Sequence, residues 1–221
     1  MCGRFCQALT GETLIHHFQI NNVNRVTITS SYNVAPSQIV LAIVSKGEHR
    51  VLSPMRWGLI PAWADSMKMG AKLINARSET IDQKPAFRQS FYKYRCIIPA
   101  NGFYEWKKID KQKQAYFIKL SGDTPMALAG IWAVWKNGTN EKVASLSIVT
   151  TQANEILSNI HNRMPVILSQ NNYDKWLNAS TERNALKCLL KPYPSDAIET
   201  YPVSAYVNKT TNDGVKCIAL S

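Results

Sequence analysis

Three pairs of β-like runs, each joined by a short turn, constrain this chain more than any other feature. Residues 38–44 are a β-rich run, Lys46-Gly47-Glu48 turns the chain, and His49–Trp57 reads as the hairpin partner. Residues 101–107 alternate in character, the tip falls at 110–113, and residues 115–120 return. Residues 126–135 and 144–151 flank Asn137-Gly138. Single strands are expected at 95–99 and 198–203, with strand-like pieces at 207–208 and 215–220. Helical spacing is confined to short segments. Thr10 can cap a helix running to Phe18, residues 86–93 follow, then 154–160, 171–178 and 181–191, the last capped by Ser180 or Thr181. Residues 64–72 read as a flexible loop. Repeats, low-complexity stretches and linkers are absent. A chain of 221 residues with 45% hydrophobic side chains can bury one sizeable core, so one domain over 1–221 is expected.

The N-terminal sequence Met1-Cys2-Gly3-Arg4-Phe5 carries the most unusual chemistry. Cysteine is small enough to permit removal of the initiator methionine, which would leave an α-amine and a thiol on adjacent carbons. Such a 1,2-aminothiol condenses with an aldehyde: the amine forms an imine and the thiol closes a five-membered thiazolidine. A second-position cysteine can also be accidental, so the rest of the chain must show whether this end is served.

Lys and Arg together number 26 against 15 Asp and Glu, a net charge of +11. The excess favours a polyanionic partner, nucleic acid first, and its spread along the chain means that folding must assemble any basic surface. The five cysteines are odd in number and form no CxxC pair, which argues against a disulfide framework or a zinc site and fits a reducing cytosol. No apolar run approaches a membrane span and no signal-peptide core follows Met1. The expected location is cytoplasmic, on the nucleoid when DNA is bound; neither metal nor cofactor is expected.

Several residues are candidates for a site. The apolar run entering Asn75-Ala76-Arg77-Ser78-Glu79 stops abruptly in polar residues, as at the end of a buried strand. Glu105 sits between Tyr104 and Trp106 and points opposite to them; apolar surroundings suit a carboxylate to acid–base work, although a solvated strand glutamate has the same pattern. His161 ends a helix just before Pro165, where it either projects into a cleft or caps the helix. Trp57 reads as a core anchor, whereas Trp63, near Arg56, is open to a stacking role on single-stranded nucleic acid.

Taken together, Met-Cys-Gly-Arg-Phe, Tyr32-Asn33-Val34-Ala35-Pro36, Trp57-Gly58-Leu59-Ile60-Pro61, Ile74-Asn75-Ala76-Arg77-Ser78-Glu79-Thr80, Gly102-Phe103-Tyr104-Glu105-Trp106, His161-Asn162-Arg163-Met164-Pro165 and Pro202-Val203-Ser204 resemble the SOS response-associated peptidase (SRAP) family. The motifs follow that family's order from Cys2 to Asn208. The resemblance implies a β-dominated α+β fold: a bifurcated, barrel-like, mostly antiparallel sheet surrounded by helices. It implies recognition of abasic sites in single-stranded DNA, with a covalent crosslink through Cys2 that shields the lesion during the DNA damage response. By the same resemblance Asn75 positions the Cys2 amine, Glu105 is the acid–base group and His161 the proton shuttle. Arg4, Arg77 and Arg163 would grip phosphates, and Asn33, Pro36 and Trp63 would meet flanking bases. Residues 64–72 depart from the family pattern, as does Met164 where a second arginine also occurs.

Two rival readings use the same residues. Cys2 with His161 could form a thiol peptidase pair, or Cys2 could act as an N-terminal nucleophile hydrolase that removes Met1 itself. A passive single-strand binder would account for the charge but leave Cys2, Glu105 and His161 without a purpose.

Overall fold

The computed structural model describes residues 2–110, 112–138 and 141–221, with the backbone alone at residue 24. In chain order the elements are β1 (Phe5–Gln7), α1 (Gly11–Phe18), β2 (Ser31–Val34), β3 (Ile39–Lys46), β4 (His49–Trp57), β5 (Asn75–Arg77), α2 (Pro85–Lys93), β6 (Arg95–Ala100), β7 (Gly102–Ile109) and β8 (Gln112–Leu120). They continue as β9 (Met126–Lys136), β10 (Lys142–Gln152), α3 (Glu155–Ser158), β11 (Arg163–Pro165), α4 (Tyr173–Leu177), α5 (Arg183–Cys188) and β12 (Ile198–Pro202).

Two sheets result. One is a five-stranded antiparallel sheet in the order β12-β8-β7-β1-β2. In the other, β10-β4-β3-β6-β9 closes on itself through β9–β10 pairing, which removes the free edges of a barrel. Pairing is antiparallel except where β10 meets β4 and β5. The β-dominated α+β fold with a barrel-like sheet is as expected from the sequence. Bifurcation occurs along β10. Its earlier residues run between β9 and β4, whereas Thr150 lies between Arg77 of β5 and Pro165 of β11.

Strand alternation explains the near-continuous apolar runs of β3, β6 and β9. Leu41, Ile43, Ile97, Ala129 and Ile131 join a core with Leu14 and Phe18 of α1, Phe87 and Phe91 of α2, and Trp176 of α4. Val40, Ala42, Cys96, Ile98 and Leu128 face the other way, into a core shared with Phe5, Phe103, Ile118 and Leu120 of the five-stranded sheet. Both faces are therefore buried, and the seam between the two sheets is where the chain's N-terminus enters.

Local structure differs from the sequence reading in four places. Residues 64–72 are ordered: Met67–Lys72 form a 3-10 segment in which Gly70 packs on Gly58, and the Trp135 indole N–H donates to the Ala64 carbonyl at 2.6 Å. Gly58 has φ +122°, and a Cβ there would lie 2.6 Å from the Gly70 carbonyl oxygen, so this close approach requires glycine. The helix expected over 181–191 is only α5, and neither Ser180 nor Thr181 caps it. Thr181 instead donates its hydroxyl to Lys175 O at 2.7 Å, and Glu182 occupies the N-cap without a side-chain bond. Residues 207–208 belong to a 3-10 turn, Ala205–Asn208, capped by Ser204, whose hydroxyl accepts from Tyr206 N. The tail forms a 3-10 turn at Val215–Cys217, and Leu220 makes an isolated bridge to Val203, just past β12. Part of the 110–113 hairpin tip lies outside the described residues, as does Met1. Among the described residues no helix is long and apolar enough to cross a membrane.

Candidate active site

β1 pairs with both β2 and β7, matching Phe5 to Val34 and to Phe103. That pairing draws Cys2, three residues before β1, into the seam, where it is 0% exposed in the core that holds Phe5 and Trp57. The Phe5 and Trp57 rings meet edge-on at 5.0 Å, and the Trp57 indole N–H is anchored on Ile74 O at 3.0 Å. That anchor fixes the strand carrying Asn75. The Asn75 side-chain Nδ2 donates to the Cys2 carbonyl at 2.8 Å. Its Oδ1 is buried and makes no hydrogen bond, a costly arrangement that leaves an acceptor open beside Cys2. Burial pushes the Cys2 thiol up to about 12, with the nearby Glu105 carboxylate adding to the effect.

A cleft of about 490 Å³ opens beside this point, lined by Arg4, Glu105, Trp106, Lys113, His161 and Asn208. Glu105, on β7, is 8% exposed, and its Oε1 accepts from the Trp106 N–H at 3.3 Å. Glu105 is thus buried, while the side chains of Tyr104 and Trp106 pack in the cluster with Cys6 and Phe117. His161 follows α3, and its own N–H bonds Leu157 O at 2.9 Å. Its Nδ1 accepts from the Arg163 N–H at 3.0 Å; because a backbone amide can only donate, the neutral ring carries its proton on Nε2. A second hollow of about 730 Å³, lined by Arg77, Glu79, Thr80 and Arg163 among others, shares His161 with the first.

The basic candidates differ in how far they are free. Arg4 donates from Nη1 to Asn33 Oδ1 at 2.6 Å and to Val207 O at 3.0 Å, and its guanidinium lies 5.7 Å from the Trp106 ring centroid. Partial burial lowers its pKa. Asn33 is 2% exposed, and its amide donates to Val207 O, Lys209 O and Asn212 O, tying down the 205–212 segment beneath Arg4. Arg77 is exposed at the end of β5. Arg163 makes a bidentate pair with Glu79, at 2.6 and 3.0 Å, and also donates to Thr150 O at 2.7 Å. Pro36, half-buried between β2 and β3, Asn33 and the 58%-exposed Trp63 line neither hollow.

The fold thus brings Cys2, Asn75, Glu105, His161 and Arg4 to one place and Arg77 and Arg163 to the adjoining hollow. Sequence reasoning missed Trp106 with its bond to Asn208 Oδ1 at 2.8 Å, and the Glu79–Arg163 pair. The first joins positions too distant to pair by pattern, while Glu79 stood within a quoted motif without a role. Among the described residues no cluster of His, Cys, Asp or Glu forms a metal-binding group.

Known proteins resemble this chain along nearly its whole length. The SOS response associated peptidase (SRAP) family profile matches residues 1–210. The chain is 42% identical over 221 residues to the abasic site processing protein YoqW of Bacillus subtilis, covering 99% of each chain. It is 32% identical over 223 residues to the abasic site processing protein HMCES of Xenopus tropicalis, covering 86% of this chain and 65% of that one. A crystal structure of a protein from Bacteroides thetaiotaomicron superposes with a TM-score of 0.86 at 26% identity, covering 98% of this chain and 99% of the other. With motifs, fold and a family match over nearly its whole length in agreement, the chain belongs to the SOS response associated peptidase family.

Proposed function

We propose that this protein recognises abasic sites in single-stranded DNA and links itself covalently to them through Cys2. The abasic sugar, mostly a closed hemiacetal, is opened as the Glu105 carboxylate takes the C1′ hydroxyl proton and delivers it to the ring oxygen O4′, with His161 Nε2–H hydrogen-bonding the reacting oxygens. The neutral Cys2 amine then attacks the C1′ aldehyde, one water leaves, and the thiol adds to the imine carbon while its proton passes to the imine nitrogen. Aldehyde and aminothiol become thiazolidine and water. The reaction requires removal of Met1.

One observation carries this reading: Asn75 holds the Cys2 carbonyl and leaves a buried acceptor beside it. A neutral amide acceptor can hold an amine without stabilising its charged form as a carboxylate would. The raised thiol pKa favours amine-first chemistry and disfavours a peptidase, which needs a thiolate at neutral pH. The names of the relatives support the substrate.

Incubation with a single-stranded oligonucleotide carrying one abasic site should give a heat-stable slower band on a denaturing gel. The band should vanish with Cys2→Ala and with an oligonucleotide lacking the lesion. Cys2-dependent peptide cleavage without any such band would overturn the proposal.

A further inference from the structure

The Glu79–Arg163 pair stands where the incoming strand would lie. Glu79 and Arg163 both line the hollow that adjoins the cleft through His161, together with Arg77. Arg163 is nearly enclosed, its side chain 12% exposed, whereas Glu79 is 44% exposed. The carboxylate takes both terminal nitrogens of the guanidinium in the end-on geometry that a phosphate uses. Arg163 Nη2 is also held by Thr150 O, so the fork keeps its aim if the carboxylate leaves. No described carboxylate pairs with Arg77, at the end of β5 two residues before Glu79.

We infer that Glu79 is a resident anion that occupies the Arg163 fork in the free protein and is exchanged for a strand phosphate, so that Glu79 sets how tightly DNA is held beside His161. This rests on the reading of the cleft as an abasic-strand site. A polyanion reaching Arg163 meets a like charge, and Glu79, more exposed and carried on a flexible side chain, is the partner that can swing out. The exchange leaves Arg77 as the hollow's net positive charge. A strand therefore gains little from Arg163 through charge alone and much through geometry, which favours a correctly seated phosphate over any passing one.

The test is equilibrium binding of a fluorescent single strand carrying a tetrahydrofuran abasic analogue, which has no aldehyde and cannot crosslink. Glu79→Gln should tighten binding about two- to fivefold at low salt, the range of an exposed ion pair. It should also steepen the fall of log K with log salt by about 0.7, one added net charge on a single strand. Glu79→Asp keeps the charge and should bind as the wild type or up to twofold more tightly. In an Arg163→Ala background the gain from Glu79→Gln should disappear. Unchanged or weaker binding by Glu79→Gln, or the same gain with and without Arg163, overturns the inference alone, provided the wild type crosslinks to an aldehydic abasic strand. If it does not, the underlying reading falls and takes the inference with it.

Discussion

Asn75 donates its amide N–H to the Cys2 carbonyl at 2.8 Å while its own Oδ1 sits buried and unbonded on the same side chain. In the proposed reaction this amide, anchored at one end and open at the other, orients Cys2 and accepts from its amine. We predict that Asn75→Ala lowers the crosslinking rate at least about tenfold, the loss expected when a buried polar partner is removed. Asn75→Asp should be no better: its carboxylate faces a carbonyl it cannot donate to, and it would hold the amine protonated. Single-turnover rates with an abasic oligonucleotide check this, and an Asn75→Asp variant as fast as the wild type would contradict it.

The Cys2 thiol, raised to about 12, should behave as a thiol and not a thiolate throughout the neutral range. Because the shift disfavours the anion, Cys2 should not react with iodoacetamide near neutral pH, and reactivity should appear only as pH approaches the raised value. Cys188, which is exposed, should alkylate first, with Cys2 and Cys96 protected by burial. Peptide mass mapping after brief labelling of the native protein reads the order; rapid labelling of Cys2 at neutral pH would contradict it.

Glu105 and His161 face one cleft and are assigned proton transfer, so their loss should divide chemistry from binding. Glu105→Gln and His161→Ala are each expected to slow the covalent step by on the order of 10²–10⁴ while strand affinity changes much less. Comparing crosslinking rates with binding of the tetrahydrofuran strand separates the two. Parallel losses in both would instead assign these residues a structural role.

Much of this architecture was legible locally. The β3–β4 hairpin, α1 with its Thr10 cap, and β6 are written in short-range periodicity and turn residues. What escaped was long-range. Thr181 could not be seen to spend its hydroxyl on Lys175 O, and the order in 67–72 comes from a glycine–glycine contact with Gly58. Glu79 and Arg163 are 84 positions apart and meet only because β5 and β11 flank the end of β10.

Gly102 shows how tightly β7 is fitted between β1 and β8 in the five-stranded sheet. A Cβ there would lie 2.4 Å from Ile118 O and 2.5 Å from Phe117 Cζ, and Gly102 pairs with Cys6 of β1. We predict that Gly102→Ala destabilises the protein by about 1–3 kcal/mol and slows crosslinking by displacing β1. Urea unfolding midpoints give the first and gel assays at a temperature where the variant is folded give the second. A variant with unchanged midpoint would show that the sheet around Gly102 yields without cost.

The most direct test of the central claim is the intact mass of the covalent adduct between this protein and a single-stranded oligonucleotide bearing one abasic site. The account predicts a mass equal to the protein without Met1 plus the oligonucleotide, less one water, with the adduct unchanged by borohydride because the thiazolidine holds no imine. Cys2→Ser keeps the amine and should yield at most an adduct that needs borohydride to survive. An adduct that retains Met1, or one that forms undiminished with Cys2→Ala, would contradict the account.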